Sequence, residues 1–184
     1  MDNNFNYKNI EPWKDKYGGV IWAVIEIEKG TIIKNELDCE NDMIIPVRAL
    51  HKKYKYIFNY GFISKTWAED NDPIDVAIIS REPITPKSVL ACRVVGVIKT
   101  IDDGEQDDKI IAVPIYQSGG KEQPRKVNWK KLLKFFSRYK YPFQKGTVIQ
   151  GVGDENEALK IIQKASDVYN QKFFGGKNQW NGKC

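Results

Sequence analysis

The 184-residue chain predicts an α+β fold: a small antiparallel β-barrel, closed or partly open, with two α-helices flanking it. Two observations lead there. From residue 20 to about residue 115 the apolar residues come in short runs rich in Val, Ile and aromatics, punctuated by Gly, Pro, Asn and Asp, which is a pattern of strands and turns. Beyond Ser118-Gly119-Gly120 two amphipathic helical patterns follow, and many short strands with few helices favour a barrel that carries its helices outside. With 41% hydrophobic side chains the chain can bury one sizeable core but hardly two, so a single domain over 1–176 is expected.

Taken in order, Glu26 belongs to the first strand-like run, and Lys34 and Glu36 lie two apart in the next, so their side chains share a face. Gly30 supplies a turn between the runs, and a hairpin there brings all three together. The runs at 94–98 and 110–113 enclose an acidic segment that reads as a hairpin loop. Trp129, Leu132, Leu133 and Phe136 fall at helical spacing behind Asn128, a capping residue, and Pro142 blocks continuation. A second helix begins at Asp154 with Glu157 three residues on, as in a capping box. Its apolar stripe is Ala158, Ile161, Ile162, Ala165, Val168 and Tyr169, and it ends near Phe174, before Gly175-Gly176. Residues 177–184 have no periodicity and read as a loose tail.

The 29 basic against 24 acidic side chains leave a net charge of +5, which suits anionic partners without choosing among them. Cys39, Cys92 and Cys184 are widely spaced and odd in number, which argues against a disulfide framework or zinc site and for a reducing, cytoplasmic location. The N-terminus has no apolar signal core, and the run at 19–25 is far below membrane-spanning length. No membrane partner is expected.

Acidic residues gather at 26–42, 69–75 and 102–108. Any one cluster is most simply a solvated turn, since Asp and Asn favour turns. Asp70, Asp72 and Asp75 are harder to dismiss, because three carboxylates so close repel one another and bound divalent cations remove that cost. An EF-hand starting at Asp70 fails, with Ile74, Asp75 and Arg81 where an oxygen ligand, glycine and glutamate are needed. The five carboxylates at 102–108 are either a solvated tip or the other half of the same site. Nine Lys or Arg between 121 and 145, interleaved with aromatics, permit contact with nucleic acid, but Trp129 and Phe136 fit the buried stripe better and the lysines its wet face. The lone histidine, His51, reads as a surface residue.

Asp70-Asn71-Asp72-Pro73-Ile74-Asp75-Val76 resembles the signature of the family I soluble inorganic pyrophosphatases, and further blocks follow that family's order and spacing across roughly 20–150. Residues 26–36 are similar to its glutamate, glycine, lysine and second glutamate block. Residues 56–62 resemble its Tyr-x-x-Asn-Tyr-Gly segment, and Arg48 falls where the family has its arginine. Asp102, Asp107 and Lys109 ahead of Ala112-Val113-Pro114, then Phe135-Phe136 with Tyr139-Lys140, match two more blocks. Glu28, Asn35, Val47 and Ile57 depart from the common pattern at positions that are not ligands, and the basic balance is unusual beside acidic bacterial members.

The resemblance implies an OB-like barrel and hydrolysis of pyrophosphate to two orthophosphates by metal-activated water, which drives biosynthetic reactions forward. It implies Mg2+, several ions per site, with Mn2+ or Zn2+ as substitutes. Asp70, Asp75, Asp102 and Asp107 become metal ligands, with Asp75 bridging, Glu26 acts through water, and Asp72 deprotonates the nucleophilic water. Lys34, Arg48, Tyr60, Tyr139 and Lys140 bind phosphate oxygens, with Lys34, Arg48 and Tyr60 also counted as catalytic, and Glu36, Tyr56 and Lys109 support them. A homo-oligomer of the short prokaryotic type is implied, a hexamer ahead of a dimer or trimer. A barrel that binds nucleic acid without catalysis is disfavoured, since its acidic loops repel a polyanion unless metals intervene. A purely structural metal module leaves the cations and tyrosines without a task.

Overall fold

The computed structural model describes residues 7–38, 40–118, 127–140 and 147–174. Its strands are β1 (Trp13–Asp15), β2 (Val20–Ile27), β3 (Ile33–Asp38), β4 (Met43–Ala49), β5 (Asn59–Phe62), β6 (Asp75–Ile78), β7 (Val89–Asp102), β8 (Glu105–Gln106), β9 (Lys109–Pro114) and β10 (Val148–Gly153). The helices are α1 (Trp129–Phe136) and α2 (Glu155–Phe174).

The predicted barrel is present as a closed ring of hydrogen bonds, β2-β5-β6-β9-β7, with β7 returning to pair with β2. Four of the five ring pairings are antiparallel and β6–β9 is parallel. The expected antiparallel barrel thus carries one parallel pairing, as counting requires: an odd number of strands cannot alternate direction all the way round a closed ring. β7 closes the ring because it is long. Its first half pairs with β2, and its second half with β10. It bends at Gly96, whose φ is +152° and where a Cβ would stand 2.6 Å from the Gly153 carbonyl oxygen and 2.9 Å from the Trp129 ring. β3 and β4 form a separate two-stranded hairpin.

Side-chain alternation along the strands divides most of the apolar residues between two large clusters, with a smaller third around Tyr7, Val24, Leu37 and Phe62. Val76, Ile78, Ile110 and Ala112 pack with Ala158, Ile162 and Ala165 of α2, whereas Tyr60, Ala77 and Ile111 pack with Leu132, Phe135 and Phe136 of α1. The α1 face therefore includes Phe135, which the predicted stripe omitted, while Leu133 is only half-buried. Asn128 caps α1 by accepting from Lys131 N at 3.0 Å, and Asp154 caps α2 by accepting from Glu157 N at 2.9 Å. The Glu157 carboxylate pairs with Lys99 at 2.6 Å.

Cys92 is buried in the core, and Cys39, Cys184 and the expected tail at 177–184 lie outside the described residues. Among the described residues no helix is long and apolar enough to cross a membrane.

Candidate active site

The parallel pairing sets the floor of the site. Asp75 and Lys109 are direct partners in the β6–β9 register, so their side chains stand on one face, the face that carries Ala77 and Ile111 toward α1. Tyr60 opposes Ala77, one step diagonal from Asp75, and its hydroxyl donates to Asp75 Oδ2 at 2.6 Å. Lys109 is 1% exposed and ion-paired to both Asp75 and Asp107.

Asp70 and Asp72 come from the loop that leads into β6. Thr66 ties this loop down, donating to the Ile63 carbonyl at 2.6 Å and accepting from Ile74 N at 2.9 Å. Asn71 takes a left-handed φ of 63°, a conformation Asn tolerates, and the turn lets Asp72 N donate to Asp70 Oδ1 at 3.2 Å. Asp102 precedes the tight turn at Asp103-Gly104, whose φ values of 48° and 95° suit a two-residue hairpin, and Asp107 follows the short strand β8 that returns from it. The acidic loop thus divides by position. Asp102 and Asp107 face the cavity, while Asp108 accepts from Thr100 N at 3.2 Å and Gln106 Nε2 at 2.6 Å, and Asp103 and Glu105 are exposed. Lys140, in the turn after α1, is ion-paired to Asp102.

The remaining wall is β2 with the β3–β4 hairpin. Lys34 pairs with Glu36 at 2.6 Å, Lys34 and Arg48 are cross-strand partners, and Glu26 Oε1 accepts from Leu37 N at 2.8 Å. Glu26, Lys34 and Glu36 do meet at one cavity, but the expected hairpin across Gly30 is corrected: β3 pairs with β4 and not with β2, and Glu26 reaches β3 through its side chain.

Glu26, Lys34, Glu36, Arg48, Tyr56, Tyr60, Asp70, Asp72, Asp75, Asp102, Asp107, Lys109, Tyr139 and Lys140 all line one cavity of about 470 Å3. Asp38 and Glu40 line it too and were not anticipated. The signal for Asp38 was present, since it stands two residues beyond Glu36 on the same strand face. His51 is not among the lining residues.

The electrostatics are those of too much negative charge in too little water. Burial, then Asp107, pushes the Asp70 carboxyl up to about 7, and burial pushes Glu26 up to about 8 with the Leu37 N–H offsetting part of it. Asp107 is also raised, burial leading and Lys109 opposing. Burial alone would lower Lys109, but Asp75 and Asp107 outweigh it and hold the ammonium charged far above its ordinary range. Burial holds Tyr60 well above its ordinary value, with Asp75 adding to the effect, and pushes Tyr139 up to about 12.

Hard oxygen donors at Asp70, Asp75, Asp102 and Asp107, with Asp70 and Asp107 raised chiefly by burial and then by neighbouring carboxylates, fit a divalent cation such as magnesium better than a soft metal. As they stand, no three acidic, imidazole or thiol groups among the described residues form a ready-made metal cluster, and Lys109 and Lys140 are the counter-ions.

A family model described as inorganic pyrophosphatase matches residues 23–170. Soluble inorganic pyrophosphatase 1 of Arabidopsis thaliana is 37% identical over 170 residues, covering 86% of this chain and 79% of that protein. Among solved structures, the inorganic pyrophosphatase of Thermus thermophilus superposes with a TM-score of 0.79 at 30% identity, covering 90% of this chain and 99% of that one. That of Neisseria gonorrhoeae gives 0.79 at 29% identity, covering 89% and 98%.

Proposed function

The chain belongs to the inorganic pyrophosphatase family, and we propose that it hydrolyses pyrophosphate to two orthophosphates, drawing biosynthetic reactions forward by removing their product. What supports this most is the convergence of carboxylates with Lys and Arg side chains able to bind phosphate, from separate chain segments, on one cavity.

Asp70, Asp75, Asp102 and Asp107 would hold the divalent ions, several per site and magnesium first, with manganese or zinc as substitutes and Glu26 reaching one through water. Such ions lower the pKa of water toward neutrality and cancel charge on the phosphoanhydride. Asp72 takes the proton of the attacking water. Lys34, Arg48, Tyr60, Tyr139 and Lys140 hold phosphate oxygens, Arg48 through two parallel N–H donors, and neutralise charge gathering on the leaving phosphate. Glu36 positions Lys34 through their ion pair, Tyr56 packs beside Tyr60, and Lys109 orients Asp75 and Asp107.

The reading extends to a single catalytic domain over 1–176, a cytoplasmic location, no nucleic-acid partner and a homohexamer, ahead of a dimer or trimer. The near-complete coverage of short bacterial chains supports the prokaryotic type. Orthophosphate release from pyrophosphate, measured with and without magnesium, tests the activity. Release that needs magnesium is expected, and a protein inactive in its presence overturns the reading. Light scattering tests the assembly.

A further inference from the structure

We propose that Lys140 is a displaceable counter-ion: a divalent cation reaching Asp102 must evict the Lys140 ammonium, and the same event frees that ammonium for the anionic substrate.

Among the described residues two lysines are ion-paired to aspartates of the site, and they are not equivalent. Lys109 is rooted on β9 inside the sheet, is 1% exposed, and is held by Asp75 and Asp107 together. It has nowhere to go, so its charge is permanent. Lys140 sits on the turn that follows α1, is 9% exposed, and its ammonium grips one carboxylate, that of Asp102. Among the described residues, the other Asp102 oxygen has a long 3.4 Å contact from the Thr147 hydroxyl.

Burial and the like charges of Arg48 and Lys34 act against the Lys140 ammonium, and Asp75 and Asp70 attract it more weakly. The ion pair with Asp102 holds it in place against the burial and the repulsion. Once a divalent ion takes the Asp102 charge, Lys140, Arg48 and Lys34 form a cationic cluster, which suits a phosphate group. Metal and phosphate would then bind cooperatively through one side chain, with neither needing to touch the other.

This rests on the metal-dependent reading above, and it predicts something that reading does not: removing a substrate-binding cation should strengthen metal binding. Calorimetric titration of Mg2+ into metal-free protein tests it without turnover. Lys140→Gln should bind Mg2+ about tenfold more tightly than wild type, the scale of one ionic hydrogen bond lost from the competing state. Lys34→Gln is the control for a general change of field, because Lys34 pairs with Glu36 instead, and its gain should be clearly smaller. Equal or weaker binding by Lys140→Gln, or an equal gain in Lys34→Gln, overturns the proposal. In wild type, acylation of Lys140 followed by mass spectrometry should accelerate when Mg2+ is added, and an unchanged rate also overturns it. If wild type binds no Mg2+ and releases no orthophosphate, the metal-dependent reading itself fails. Mg2+ binding and turnover with neither expected change would remove the displacement alone.

Discussion

Lys34 of β3 and Arg48 of β4 are direct cross-strand partners, and a bulge makes it so. Ile33 opposes Ala49 and Lys34 opposes Arg48, but Asn35 opposes Pro46, which leaves Val47 as the extra residue. The extra residue restores the phase, so that Arg48 and Ile45 both lie on the cavity side with Lys34 and Glu36. Two cations placed side by side at this wall are costly without an anion and well matched to one.

Arg48→Lys should therefore keep the charge and lose the fork. We expect kcat/KM for pyrophosphate to fall roughly tenfold or more, the scale of one charge-assisted hydrogen bond. Steady-state kinetics at saturating magnesium checks this, and an unchanged kcat/KM contradicts the role given to Arg48.

The proposed roles of Asp72 and Asp75 can be separated. Asp72→Asn should bind magnesium nearly as wild type does while turnover drops by about 10²- to 10⁴-fold, the usual contribution of a positioned base. On the proposed assignment Asp75→Asn removes a metal ligand, a carboxylate that Tyr60 and Lys109 contact, so magnesium affinity itself should fall. Equal magnesium affinity in Asp75→Asn and wild type, measured by calorimetry, would rule out the ligand assignment.

Gly61 lies opposite Ile25 in the β2–β5 ladder, and a Cβ there would overlap the Val24 carbonyl oxygen. Backbone cannot yield as a flexible side chain can. Gly61→Ala should cost on the order of 4 kcal/mol or more, enough to lower the melting temperature by about 10 °C. A melting curve that matches wild type would mean that the ring tolerates opening at β5.

The pH response follows from carboxyls raised to about 7 at Asp70 and about 8 at Glu26. In the metal-free chain the folded state keeps protons on these groups that the unfolded state has already lost. The folded state thus binds more protons between about pH 4 and about pH 8, and stability must fall as pH rises through that window. Magnesium binding runs the other way, tightening with pH because the ligand must be deprotonated. Melting temperatures of metal-free protein across this range should decline more in wild type than in the Asp70→Asn, Glu26→Gln double variant. Parallel curves would show that neither carboxyl is protonated in the fold.

Much of this architecture was written locally. Strand alternation, the Asn128 and Asp154 caps and the α2 stripe are properties of neighbouring residues, and the chain folds them as its periodicity directs. That the fourteen candidate residues belong together was also legible, through the family resemblance of the ordered blocks that carry them, and they line one cavity. Other features depended on contacts distant in sequence. No local pattern says that β6 and β9 run parallel, and it is that pairing which stands Lys109 beside Asp75. No spacing rule foretells the Val47 bulge that lines Arg48 up with Lys34, or brings Lys140 onto Asp102. Composition shows that carboxylates and lysines are present. Ring closure decides which lysine is locked in the sheet and which one stands on a turn where a metal could displace it.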